Sequence, residues 1–323
     1  MKSHGLWMTV VIQLASVAPA GAQPWVPPQG EGTVSVTYQN YYVTGHYDVA
    51  GRENTNGATH AKAMIADVDF GLSDTVALTV SVPFMATKYT GPQDYIVGGI
   101  PTHRGLLDDG EYHGAFQDVR IEARRVCWAG PVAFAPVVSV LIPTHDYATH
   151  GEAVPGRHRR ELQVGVTAGA DLNRFIPRTY VHGRYSLAAA ERLQGFSSIR
   201  SLVDVEGGFD VSRLIGLRGL ASWQIRHKGP TIPELAAHDW LGHDRFIVSS
   251  YFNVGGGMTL SITRNIELHA LWVATVSGKS GAHRARMLAI GTSWSFGSGM
   301  GGFGGFATIK NERSRSTPTA PGF

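Results

Sequence analysis

The sequence predicts an all-β protein, a transmembrane antiparallel up-and-down β-barrel of about 12 strands. Three observations carry that prediction. Segments of about ten residues alternate apolar and polar side chains, the period of a strand with one apolar face. Short turns alternate with long polar connections. An export signal opens the chain, and no later apolar run is long enough for a membrane helix.

The clearest segment is Gly71 to Phe84, "GLSDTVALTVSVPF", in which Val76, Leu78, Val80, Val82 and Phe84 oppose Thr75, Ala77, Thr79 and Ser81. Gly71, Leu72, Ser73 and Asp74 read as a tight turn. Upstream, Met64, Ala66, Val68 and Phe70 form an apolar row with Asp67 and Asp69 on the other side. A soluble sandwich and a membrane barrel both give this alternation, with the apolar row facing a core in one and lipid in the other.

The first residues favour the second case. Lys2 and His4 precede an apolar run from Leu6 to Val17, and Ala20-Gly21-Ala22 before Gln23 is a small-x-small cleavage pattern. Residues 1–22 are therefore expected to be a signal peptide and 23–32 an N-terminal periplasmic segment. No Cys follows the cleavage point, which argues against a lipid anchor. The longest later apolar run, Val132 to Pro143, is too short for a spanning helix. If the membrane is crossed, strands must cross it.

Composition agrees. The chain has 40 Gly and only 16% charged residues, with β-branched and aromatic residues in short runs, which favours strands and turns. A net charge of +3 without a Lys/Arg block gives no argument for nucleic acid. The single Cys127 can form no internal disulfide and matches no metal spacing.

Twelve strands follow in order. The first runs from Thr33 to Val43, and the second and third form the hairpin around residue 72. The fourth, Asp118 to Val126, places Asp118, Arg120, Glu122 and Arg124 on one face. Val132 to Ile142 is interrupted by Pro136. Glu161 to Leu172, Thr179 to Leu187, Leu202 to Val211, Leu217 to His227, Arg245 to Ile262, Ile266 to Val276 and Arg286 to Phe296 complete the set, giving a barrel over 33–296 and a Gly-rich flexible periplasmic tail over 297–323. Turns near 71, 129, 175, 214 and 264 are short. The alternate connections, 44–60, 85–115, 143–160, 188–200, 228–244 and 277–283, are mostly long. Short periplasmic turns, long outer loops and an even strand count are how outer-membrane barrels are built, and a sheet with open edges is intolerable in lipid.

In lipid each charged side chain would cost about 2–4 kcal/mol near the midplane, so the charged rows face the lumen. The candidate lumen and selectivity residues are Asp118, Arg120, Glu122, Arg124, His182, Arg184, Asp204, Glu206, Arg218, Arg226 and Glu267. Such mixed-sign ladders either pair across strands and fill the interior or form a constriction for a polar solute.

"GLSDTVALTVSVPF", the acidic and basic "DVRIEARR" and "LIPTHDY" resemble the outer-membrane barrels of the meta-pathway phenol degradation family, over nearly all of Thr33 to Phe296. Where that family tends to have Pro-Thr-Gly-Asp, this chain has Pro143-Thr144-His145-Asp146. The resemblance implies a transporter-like barrel associated with uptake of aromatic or other hydrophobic compounds. Phe296 matches the terminal aromatic residue read by the barrel assembly machinery, although a tail follows it.

Enzymatic signatures are missing. None of the 14 His lies two residues before a Ser, and there is no Gly-x-Ser-x-Gly, phosphate loop or dinucleotide fingerprint. His145, His150 and His158, or His238 and His243, match no ligand spacing and read as solvated loop residues. The expectation is a monomeric outer-membrane channel or facilitator for small molecules, without catalytic residues, metal or cofactor. Its partners would be outer-membrane lipid, the assembly machinery and a small solute, with no nucleic acid. A lipid hydrolase, or a plugged barrel acting as receptor or adhesion surface, is the alternative.

Overall fold

Alternating side chains and paired backbones build the whole molecule. The computed structural model describes residues 24–297 except 56, 93, 98, 99 and 104, and these form a closed antiparallel barrel of twelve strands. They are β1 (Gly32–Tyr47), β2 (Ala58–Ser73), β3 (Val76–Thr90), β4 (Val119–Arg125), β5 (Val132–Ile142), β6 (Glu161–Asp171), β7 (Thr179–Leu193), β8 (Phe196–Asp210), β9 (Ile215–Lys228), β10 (Ser250–Ser261), β11 (Ile266–Lys279) and β12 (His283–Phe296). Each strand pairs with the next, and β1 closes on β12 from Gly32 opposite Phe296 to Val43 opposite Ala285. A short piece, His113–Phe116, continues β4 upward along β3. The expected signal peptide and the tail beyond 297 lie outside the described residues.

The two faces divide as the period dictates. Val36, Tyr38 and Tyr42 of β1, Met64 and Val68 of β2, and Leu288, Ile290 and Trp294 of β12 are exposed on the outer, lipid-facing surface. Ser35, Thr37 and Gln39, or Asp67 and Asp69, are buried inside. Pro136 is accommodated in β5 because the β4 pairing stops at Val137 opposite Arg124 and resumes only with Phe134 opposite Trp128. At that break no ladder donor is required of it.

The strands run further outward than their sequence pattern indicates. Several have 14 to 16 residues, where about 9–11 suffice to cross a bilayer. Two connections expected to be long are consequently tight. β7 and β8 are joined by Gln194 and Gly195 alone, both at positive φ (50° and 85°), the left-handed pair that a two-residue hairpin with native twist requires. Residues 280–282 join β11 to β12 in the same compact way. Beyond Leu187 the run Ala188-Ala189-Ala190 has no alternation to announce a strand.

Two of the genuinely long loops fold together over the outer mouth. The connection after β9 contains α1 (Ile232–His238), which begins with a capping box: Thr231 Oγ1 accepts from the Glu234 amide, and the Glu234 carboxylate accepts from the Thr231 amide. Strand β10 accordingly begins at Ser250 rather than Arg245. Ile232, Leu235, Trp240, Phe246 and Ile247 form a small apolar core with Leu193 and Phe196. The 143–160 loop is tied beneath it. Arg157 donates to the Ile247 carbonyl at 2.8 Å, Arg159 to the carbonyls of Glu191, Phe196 and Arg245, and Arg245 back to that of His158 at 3.1 Å. Gln117 donates to the Pro155 carbonyl and lies 3.6 Å from the lumen-facing Met85 sulfur, so this loop turns inward.

The orientation of the belt makes a direct prediction. Val36→Arg should lower stability by about 2–4 kcal/mol, read as an earlier denaturant midpoint in lipid vesicles, while Val36→Leu leaves it unchanged. Equal midpoints would mean that this face does not meet lipid.

Candidate functional site

The lumen collects the charged side chains that the strand period sends inward. In its periplasmic half they form a connected ladder. Arg124 of β4 makes two bonds to the Asp69 carboxylate of β2, Nη1 to Oδ1 at 2.9 Å and Nη2 to Oδ2 at 2.6 Å, and Nη1 also donates to Thr79 of β3. This fork-on-carboxylate geometry is the strongest form of the pair. Glu122, one step up β4, receives Arg184 Nη1 of β7 at 2.7 Å and lies 3.9 Å from Arg120 Nη1. Because β4 and β7 are not neighbours, the Arg184–Glu122 contact is a strut across the lumen.

The ladder continues around the wall. Glu206 of β8 accepts from the Tyr180 hydroxyl at 2.7 Å and lies 3.5 Å from His182 Nε2, whose ring stacks on Tyr180. Asp204, on the same face of β8, is partly buried two residues away. Arg218 of β9 is 9% exposed, and its Nε and Nη2 have no hydrogen-bond partner among the described residues. Glu267 of β11 is its acidic neighbour toward the periplasm.

Two sequence-expected residues are placed elsewhere. Asp118 lies just before β4 and accepts from Tyr147 Oη at 2.7 Å and from the Arg159 amide, so it anchors the inward loop. Arg226 donates to the carbonyls of Gly229 and Pro230 at the start of the α1 connection. Both are tied to the outer mouth, away from the ladder.

Sequence reasoning missed three further parts of the site. An outer ion pair joins Arg200 of β8 to Glu161 of β6 at 2.7 Å, because Arg200 lies in the strand extension beyond the recognisable alternation. The segment before β1 is the second. Trp25 meets the His182 ring edge-on at 6.4 Å and its carbonyl accepts from Arg124 Nε at 3.3 Å. Gly169 of β6 makes the space, since a Cβ there would stand 2.8 Å from Pro24 and 2.9 Å from Trp25. The expected periplasmic segment thus reaches into the lower lumen.

The third part is apolar. Tyr41, Ala61, Ala63, Met85, Leu271, Val273, Met287 and Ala289, joined by Leu220, form one buried cluster on the inner faces of β1, β2, β3, β9, β11 and β12. Gly255 of β10 lets Val273 and Leu220 approach across it, being 2.8 and 3.3 Å from where its Cβ would lie. On β2 the buried Ala61 and Ala63 lie outward of Asp67 and Asp69, and on β11 Leu271 and Val273 lie outward of Glu267 and His269, so on these strands the lumen turns from charged to apolar toward the outer mouth. A signal for this existed in "HALWVATV", where both rows of β11 are apolar.

The loop histidines divide as well. His150 pairs with Asp239 at 3.0 Å on the surface, but His243, expected to be solvated, is fully buried. It stacks on Trp240 at 4.1 Å and faces the Asp244 carboxylate at 2.7 Å. Burial alone would lower the His243 imidazole, yet the Asp244 carboxylate, helped by Glu152, holds it up at about 9, so it is a cation at neutral pH. Among the described residues no group of three or more His, Cys, Asp or Glu is arranged to hold a metal.

No family model and no curated protein matches this sequence. Among solved structures the chain is similar to an outer membrane channel from Pseudomonas putida F1, with a TM-score of 0.65 and 12% identity over 87% of this chain and 100% of that one. It is more distantly similar to the NanC porin, at a TM-score of 0.46 and 10% identity over 81% and 98% of the two chains. The beta domain of the Bordetella autotransporter BrkA gives 0.48 and 11% over 82% and 99%. At these identities the likeness is one of fold, that of a closed outer-membrane barrel.

The buried His243–Asp244 pair sets a pH limit on the cap. A folded-state pKa above the ordinary 6.5 contributes stability that is fully present below pH 6.5 and lost as pH rises through about 9. Protonated His243 should quench Trp240, so fluorescence should rise with a midpoint near pH 9. Trp240→Phe should abolish that rise, and an unchanged titration in the variant would refute the assignment.

Proposed function

We propose that this protein is an outer-membrane channel for passive uptake of small organic molecules, with hydrophobic or aromatic compounds as the favoured class. The observation that carries the reading is the divided lumen. An apolar patch of Leu220, Leu271, Val273, Met85 and Met287 lies beside the paired charges of Arg120, Glu122, Arg124 and Arg184. A barrel interior has no need of buried Leu and Met for lipid contact, and a purely aqueous pore gains nothing from them. A solute with an apolar body does. The sequence resemblance to the phenol degradation barrels, and the fold shared with a Pseudomonas putida outer membrane channel, support the same reading.

In this reading the Arg184–Glu122 strut and Trp25 form the narrow part, and ion preference is set by the side chains there. The alternative of a plugged barrel acting through its loops draws on one observation, the cap tied by Arg157, Arg159 and Arg245. Planar-bilayer conductance of the folded, heat-modifiable protein separates the two. Stable current steps are expected, and silence would favour the receptor.

If the ladder lines the constriction, Arg120→Ala combined with Arg124→Ala removes two positive charges and should shift reversal potentials toward cation selectivity. Unchanged selectivity would remove these residues from the permeation path. Gly169→Val, which leaves no room for Trp25, should raise the unitary conductance, and an unaltered value would show that the segment does not obstruct flow.

A further inference from the structure

The outer surface of the barrel carries a group of cations that the channel reading leaves unused. Arg286 of β12, Tyr42 of β1, His60 of β2 and Lys88 of β3 stand opposite one another in register on four adjacent strands, all on the outward face. Lys62, two residues below His60 on β2, is opposite Ala86 and therefore diagonal to Lys88. The loop residue Tyr112 organises this group. Its ring lies 4.5 Å from Lys62 Nζ and 5.9 Å from Lys88 Nζ, and its hydroxyl is 2.8 Å from His60 Nδ1, while His60 Nε2 lies 2.7 Å from Asn40 Oδ1. His60 is thus held between Asn40 and Tyr112 through its two ring nitrogens.

Among the described residues, no carboxylate pairs with Lys62, Lys88 or Arg286. Height then identifies what does. Immediately toward the belt lie Met64, Phe84, Phe116 and Leu288, all exposed on the lipid face. Cations cannot sit within that apolar band without large cost, so they stand at the headgroup level just above it. The end is the outer one, because the termini of the barrel and the short turns lie at the other. The headgroups of that leaflet are phosphorylated disaccharides. Four strands at about 4.8 Å spacing spread the cations over about 14 Å, enough to address both ends of such a disaccharide.

We propose that Lys62, Lys88 and Arg286 form a binding site for the phosphates of lipid A in the outer leaflet, with Tyr112 holding the two lysines together as one anchor and Arg286 serving as the second. Acyl chains would descend over Met64, Phe84 and Leu288, and Tyr42 and His60 would lie beneath the sugar.

The test is retention of lipid A by the purified full-length barrel in detergent, measured by native mass spectrometry and by titration. Diphosphoryl lipid A should bind the wild type about 100-fold more tightly than Lys62→Met/Lys88→Met/Arg286→Met, each lost cation–phosphate contact counting for roughly fivefold. The methionines keep the apolar stems, and heat-shifted gel mobility checks folding. Fully dephosphorylated lipid A should bind both proteins equally. Equal affinity of the two proteins for the diphosphoryl form would overturn the proposal, as would equal affinity of the wild type for the two lipids, a comparison that stands even if the triple variant does not fold. Inorganic phosphate in millimolar excess should not displace the lipid; full displacement would make this a free-phosphate site and overturn the lipid assignment.

Discussion

Backbone pairing in a medium without water is the constraint on which the structure rests. Every amide and carbonyl exposed to lipid without a partner costs several kcal/mol, and the chain meets that condition only because β1 finds β12. The seam is long and regular, from Gly32 opposite Phe296 to Val43 opposite Ala285. Once it is closed, period-2 alternation leaves each side chain one of two environments. The lipid face is filled by Val, Ile, Leu and aromatic residues. Across that band the inner face receives the carboxylates and most of the guanidinium groups, which have nowhere wetter to go.

Inside, those charges are compensated locally. Arg124 with Asp69, Arg184 with Glu122 and Arg200 with Glu161 are each within 2.7 Å. Pairs of this kind contribute little net stability, since desolvation offsets most of the attraction, but removing one partner leaves a buried charge and is costly. They therefore fix geometry. The apolar cluster around Leu271 and Val273 is built without ion pairs, and the contrast between the two regions is the feature that bears on solute choice.

Most of the barrel was legible because strand faces obey local rules. Asp67 and Asp69 opposing Met64 and Val68, or Arg120 and Glu122 opposing Ile121, announce both a strand and its orientation. What stayed hidden depends on distant contacts. The extension of β7 and β8 through Ala188 to Ile199 is held by pairing and by the cap above, with no alternation of its own. The docking of Trp25 depends on Arg124 and His182, which the sheet from β4 to β7 brings together. Helix α1 did carry a local signal, Thr231 followed by Pro233 and Glu234, but the Gly, Pro and His around it read as loop. Asp118 and Arg226 had the right parity for the ladder, and parity says nothing about height.

The N-terminal segment has a consequence for how the molecule comes to exist. Its receiving groups, Arg124, Gly169 and His182, belong to β4, β6 and β7, and no subset of strands near the start of the chain presents them. Trp25 therefore has no seat until β4, β6 and β7 stand side by side, and the start of the described chain is positioned by strands that follow it by about a hundred residues or more.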